Sequence, residues 1–208
     1  QTELAIMRRA IALTDQVIEA VAARLLPEHT ERQAAWMIEQ ALREGGAEGP
    51  AFPIIVAAGP NAAQPHHKPS DEPLGANRSI IIDMGARIDG YNADLTRTLV
   101  LGKPDERFWK IYNTVLEAQQ RAIAGLRPGL LAHEGDALAR DFIASAGYGE
   151  NFGHGLGHCI GLDVHEGPML RWTAPGGTSA SLQSGMITSV EPGIYIEGWG
   201  GVRIEDLV

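Results

Sequence analysis

The chain has 208 residues, with 17 Lys and Arg against 26 Asp and Glu, for a formal charge of −9. That length buries about 70% of the unfolded surface and needs no disulfide staples, and a composition of 44% hydrophobic and 21% charged residues excludes wholesale disorder. The acidic balance argues against nucleic-acid binding, which rests on basic phosphate contacts; no apolar run approaches the roughly 18 residues of a membrane span; and the single cysteine, Cys159, permits neither an intrachain disulfide nor a cysteine-rich zinc site.

The opening Gln1-Thr2-Glu3 has neither the basic nor the apolar region of a signal peptide, so a cytoplasmic protein is expected; the lack of an initial methionine suggests a piece of something longer. From Thr2 to Leu26, Leu4, Met7, Ile11, Ile18, Val21 and Leu25 recur at three-to-four spacing, which predicts an amphipathic helix ended by Pro27. Thr30 and Gln33 form a capping-box pattern for a second helix to Arg43, stopped by Gly45-Gly46. Phe52 to Ala58 reads as a strand and Gly59 to Pro73 as a polar, proline-rich loop. Ser79 to Leu101 reads as two strands around a turn near Asp89-Gly90. The order then restarts: a helix from Pro104 to Leu126, a second from Ala132 to Ala146, a glycine-rich stretch from Gly153 to Gly167, a loop from Arg171 to Ser184, then strands Met186–Ile196 and Gly201–Leu207 around Gly198-Trp199-Gly200. The halves are offset by roughly 105 residues. They predict an α+β domain over 1–208, with paired helices covering antiparallel sheet in each half.

Each half ends in a hairpin carrying two acids. Asp83 follows Ile80-Ile81-Ile82, a buried-strand run, and an ionised carboxylate there is costly unless it is paired or binds a metal. Folding the hairpin at its turn sets Asp83 nearly opposite Asp94, with Cβ atoms roughly 5 Å apart and like charges repelling. Folding the second hairpin at Gly198 sets Glu191 opposite Glu205. One such pair could be surface decoration. Two pairs, each flanked by apolar β-branched residues, call for cations, and two divalent ions would balance four carboxylates.

The histidines add nitrogen donors. His154 and His158 share a face at a spacing of four, among glycines that favour strand or loop with backbone packed closely against something. His165 follows in Val164-His165-Glu166-Gly167-Pro168. His66, in its proline-rich loop, points to no site by itself.

Together these stretches resemble the pita-bread dinuclear metallopeptidases, and within them the aminopeptidase P and prolidase branch. The resemblance lies in Ile81-Ile82-Asp83-Met84-Gly85, Gly90-Tyr91-Asn92-Ala93-Asp94-Leu95-Thr96-Arg97-Thr98, His154-Gly155-Leu156-Gly157-His158, Val164-His165-Glu166-Gly167-Pro168, Val190-Glu191-Pro192-Gly193-Ile194-Tyr195 and Gly201-Val202-Arg203-Ile204-Glu205-Asp206, in the family's order. It implies a pita-bread fold, with Asp83, Asp94, His158, Glu191 and Glu205 as ligands of two divalent ions. Asp94 and Glu205 would bridge the two ions. His66, His154 and His165 align with histidines that line the substrate site.

The implied activity is hydrolysis of an Xaa-Pro amide bond in a peptide or dipeptide by a hydroxide held between the ions, with Glu191 taking the water's proton. His165 and His66 would donate to the carbonyl oxygen, and His154 would shape the proline pocket or stabilise the developing charge. Four oxygens and one imidazole suit Mn²⁺ first, with Co²⁺, Fe²⁺ and Zn²⁺ as alternatives. Arg203 is expected to steady the carboxylates from behind. Proline-directed members carry a separate N-terminal domain that has no counterpart here, so substrate length and a homodimeric assembly both stay open. The chain ends three residues after Glu205, so its last strand is expected to be trimmed or disordered. Three other readings remain: a methionine-type or other aminopeptidase of the same fold, an inert peptide-binding module, and a folded, metal-loaded domain that is inactive without the N-terminal domain.

Overall fold

The computed structural model describes residues 2–174 and 177–208. Among these, the first half holds helices α1 (Thr2–Ala22) and α2 (Glu31–Glu44), then strands β1 (Gly49–Pro50), β2 (Ile55–Ala58), β3 (Ser79–Met84), β4 (Ala86–Ile88), β5 (Tyr91–Asn92) and β6 (Leu95–Val100). The second half repeats the order with α3 (Glu106–Gly125), α4 (Ala132–Ser145), β7 (Gly157–Cys159), β8 (Glu166–Leu170), β9 (Ser189–Val190), β10 (Gly193–Ile196), β11 (Gly200–Arg203) and β12 (Asp206–Leu207). The strand pairs are antiparallel, as expected for this α+β arrangement.

Local chemistry accounts for most boundaries. Thr30 Oγ1 accepts from the Gln33 N–H at 3.1 Å, and Gln33 Oε1 accepts from the Thr30 N–H at 2.8 Å, closing the capping box that starts α2. Asp105 caps α3 by accepting from the Phe108 N–H at 2.7 Å. α1 stops at Ala22, short of the expected Leu26, because the Arg24 and Leu25 N–H groups turn back onto Val21 and Ala22. Pro27 also holds its predecessor out of the helical region. The loop after β2 opens with a short 3₁₀ turn over Gly59–Ala63, and the two-residue β1 has no counterpart in the sequence pattern. Among its described residues, the expected loop from Arg171 to Ser184 holds an isolated bridge from Ser181 to Leu131; residues 175 and 176 lie outside the description. The segment after Glu205 forms β12, with Asp206 paired to Val190 and Leu207 to Ser189, rather than the disordered end expected.

Side-chain alternation separates core from site. In β3, Ile80, Ile82 and Met84 join α1 and α2 in one core, whereas Ile81 turns to the other face beside Ala57 and Tyr195. In β6, Leu95 enters the same core, leaving Asp94, Thr96 and Thr98 on the opposite face. The second half does likewise. Val190, Ile194, Val202 and Ile204 pack with α3 and α4, so Glu191, Tyr195, Arg203 and Glu205 face the other way. Each fully buried isoleucine stabilises the fold by about 1.5–3 kcal/mol relative to exposure. The helices therefore cover the outer face of the curved sheet and the acids collect on its inner face. The halves meet along β6, where Thr98 Oγ1 donates to Arg203 O at 2.8 Å and the Glu205 N–H to Thr96 O at 3.1 Å.

Candidate active site

The first hairpin turns on Asp89 and Gly90, both with positive φ, 49° and 81°, the geometry of a type I′ turn. That turn pairs Ile88 with Tyr91 and, further along, Asp83 with Thr96. Asp83 is therefore not directly opposite Asp94, as the sequence suggested, but diagonal to it on the same face. The discrepancy has a simple cause: the hairpin is centred between Asp89 and Gly90, slightly later than assumed. In the second hairpin, Gly193 pairs with Arg203 and Val190 with Asp206, a register that keeps Glu191 opposite Glu205 as expected.

β7 brings in His158. A Cβ at Gly157 would collide with the carbonyl oxygen of Ser189, so only glycine lets β7 lie this close to β9. The His158 N–H then donates to Ser189 Oγ at 3.1 Å. His158 Nδ1 sits 3.0 Å from Cys159 O, which fixes the proton on that nitrogen and leaves the Nε2 lone pair facing inward. Nε2 lies 3.4 Å from Glu191 Oε1 and 3.7 Å from Asp94 Oδ2. Asp94, His158 and Glu205 each present a donor atom, all within 4.8 Å of one another.

This arrangement is costly as it stands. Burial, with the Asp83 and Glu191 charges adding to it, holds the Asp94 carboxyl well above the ordinary range. Burial and the neighbouring carboxylates do the same to Glu205, and burial foremost raises Glu191 to about 7. Burial lowers His158, which keeps it neutral and able to donate a lone pair. Among the described residues, the buried Asp83 Oδ1 and Glu205 Oε1 have no hydrogen-bond partner. Four crowded carboxylates, two orphaned oxygens and an inward imidazole form a donor set that fits divalent cations.

The same cavity, of about 490 Å³, is lined by Asp83, Asp94, His158, Glu191 and Glu205 and also by His66, His154 and His165. The structure thus brings together all eight residues singled out from the sequence. The His158 and His165 rings lie 4.4 Å apart. His154 Nε2 is 2.8 Å from Tyr195 Oη, and burial depresses its pKa to about 4. Phe52, Pro53, Ile54, Ile55 and Met169 supply an apolar wall.

Behind the acids lies a network the sequence showed only in part. Arg203, 2% exposed, donates through Nη2 to Asp83 Oδ2 at 2.7 Å, through Nε to Thr96 Oγ1 at 3.1 Å and through Nη1 to Tyr195 Oη at 2.9 Å. Thr96 Oγ1 in turn donates to Glu205 Oε2 at 2.7 Å. Arg203 steadies the carboxylates as expected. The participation of Thr96 and the linking role of Tyr195 carried no signal beyond their positions two residues after Asp94 and four after Glu191.

Comparison with known proteins agrees with this geometry. The profile of metallopeptidase family M24 matches residues 5–208. The Xaa-Pro dipeptidase of Pyrococcus horikoshii is 41% identical over 208 residues, which is 100% of this chain and 58% of that protein. That of Pyrococcus furiosus is 41% identical over 206 residues, so the chain spans under two thirds of the curated relatives it matches. Among solved structures, an Xaa-Pro dipeptidase from Bacillus anthracis matches with a TM-score of 0.95 at 41% identity, covering 100% of this chain and 57% of that one. E. coli aminopeptidase P, zinc-substituted and in complex with product, matches with a TM-score of 0.88 at 27% identity, covering 99% of this chain and 52% of that one. The fold is the pita-bread fold the resemblance implied. With the profile matched over nearly its whole length and the fold shared with these peptidases, the chain belongs to metallopeptidase family M24.

Proposed function

We propose that residues 1–208 form the catalytic domain of a metal-dependent hydrolase that cleaves the Xaa-Pro bond of short peptides. The carrying observation is the convergence of four carboxylates and five histidines, from both halves of the chain, on one cavity. Asp83, Asp94, His158, Glu191 and Glu205 would hold two divalent ions, with Mn²⁺ favoured by a mainly carboxylate donor set. Bound ions would supply Lewis acidity and bring the pKa of a water toward neutrality.

The chain's own residues do the rest. Glu191 would take a proton from the attacking water and pass it to the leaving nitrogen. His165 and His66 donate to the carbonyl oxygen as it gains charge. His154, kept neutral by burial and fixed by Tyr195, packs beside the proline ring. The wall from Phe52 to Ile55 excludes water from the bound side chain.

The test is turnover of an Xaa-Pro dipeptide, an Xaa-Pro-Xaa tripeptide and a Met-initiated peptide by Mn²⁺-loaded protein. Cleavage of the proline substrates is expected. Cleavage of the Met peptide alone would assign a methionine-type enzyme, and failure to bind metal together with no turnover would assign a binding module.

A further inference from the structure

Glu31 opens α2, and none of its surface is exposed. Its Oε1 accepts from the Ala58 N–H at 2.8 Å and from Asn61 Nδ2 at 3.0 Å. Its Oε2 accepts from His67 Nε2 at 2.8 Å, the Ser70 N–H at 3.0 Å and Ser70 Oγ at 2.6 Å. An acid at a helix N-terminus needs no partner beyond the helix dipole. This one gathers five donors from a segment that begins at the end of β2 and runs to Ser70. These bonds outweigh the cost of burial and hold the carboxyl below its usual value.

The tethered segment carries Pro65 and His66 into the wall of the cavity. Its tip touches the site once more, where Pro65 O accepts from Arg203 Nη1 at 3.3 Å. His66 is exposed, and among the described residues no hydrogen bond holds its ring, so the surrounding backbone sets its place. The donors on either side of His66 belong to Asn61 and to its immediate neighbour His67.

We propose that Glu31 is a positioning residue: its buried carboxylate ties down residues 58–70 and thereby sets where His66 stands over the substrate. The kinetic part of this inference rests on the Xaa-Pro reading above; the structural part does not.

Glu31→Gln keeps the shape but turns an NH₂ group toward donors, leaving the Ala58 or Ser70 N–H without an acceptor. Because His66 is placed to act on developing charge, kcat should fall about tenfold while KM stays within about twofold. Metal content and circular dichroism should match the parent. In the His66→Ala background the same substitution should cost less than about twofold, since both act through one ring. A full multiplicative loss there, or an unchanged kcat in the single variant, overturns the proposal.

Histidine ring NMR signals of the zinc-loaded protein give a readout independent of turnover. Glu31→Gln should move the His66 and His67 signals and leave those of His158 in place; an unmoved His66 signal overturns the proposal. Ser70→Ala, which removes one of the five bonds, is held to the same tests should Glu31→Gln fail to fold. If the parent protein cleaves no Xaa-Pro peptide, the functional reading falls and the ring signals alone decide the role of Glu31.

Discussion

Glu191 shows how one side chain links stability, protons and metal. Without an ion, burial foremost holds its carboxyl at about 7 against an ordinary 4.5, and Asp94 and Glu205 are displaced the same way. Between those values the folded chain keeps protons that the unfolded chain has released. The stability gained is therefore complete below the ordinary carboxylate range and is lost as pH rises through about 7. A tenfold change in proton affinity between the folded and unfolded chain corresponds to about 1.4 kcal/mol. The melting temperature of the metal-free protein should accordingly fall from pH 5 to pH 8. Saturating Mn²⁺ takes the place of the protons, so the fall should flatten or reverse. Glu191→Gln should flatten the metal-free slope by removing one titrating group. Scanning calorimetry across the interval checks this, and a metal-free melting temperature that climbs with pH would contradict the burial argued for these acids.

At the scale of elements, the site depends on strands brought closer than ordinary side chains allow. A Cβ at Gly157 would meet backbone of Ser189, whereas one at Gly153 would meet nothing within 4 Å. Gly157→Ala should push β7 off β9, break the His158 N–H bond to Ser189 Oγ and cost about 1–3 kcal/mol. Metal affinity should fall with it, because His158 moves. Gly153→Ala should leave both stability and metal content near the parent values. Chemical denaturation and metal analysis separate the two outcomes. The same elements show what sequence alone could reveal. The glycines around His158 announced a close approach, and folding the second hairpin at Gly198 put Glu191 opposite Glu205. Both are local patterns. The offset of Asp94 from Asp83 escaped because it depends on where a two-residue turn centres. The Glu31 anchor and the link from Tyr195 to His154 escaped for a different reason. Their partners lie 27 to 41 residues away, and a buried acid at a helix start looks no different in sequence from one facing solvent.

Among the described residues the two larger cores lie one under α1 and α2 and one under α3 and α4, and the acids lie where the halves meet. The candidate ligands divide across that seam. Asp83 and Asp94 come from the first half; His158, Glu191 and Glu205 come from the second. In the metal-free chain the seam crowds carboxyl groups whose charged forms repel one another, opposed by direct bonds such as Thr98 to Arg203. A bound cation turns that repulsion into attachment between the halves and favours the folded state by mass action. At a hundredfold excess over its dissociation constant it adds about 2.7 kcal/mol. For a chain of this size that raises the melting temperature by roughly 5–10 °C. Removing metal with a chelator should reverse the gain. The added protection against hydrogen exchange should concentrate at the seam, at the N–H groups of Arg203 and Glu205, more than at amides inside α2 or α3. Those helices belong to separate cores and should report only the global change. Protection confined to one half, or a melting temperature indifferent to metal, would mean that the ions do not join the two halves, and the division of ligands across the seam would have no energetic consequence.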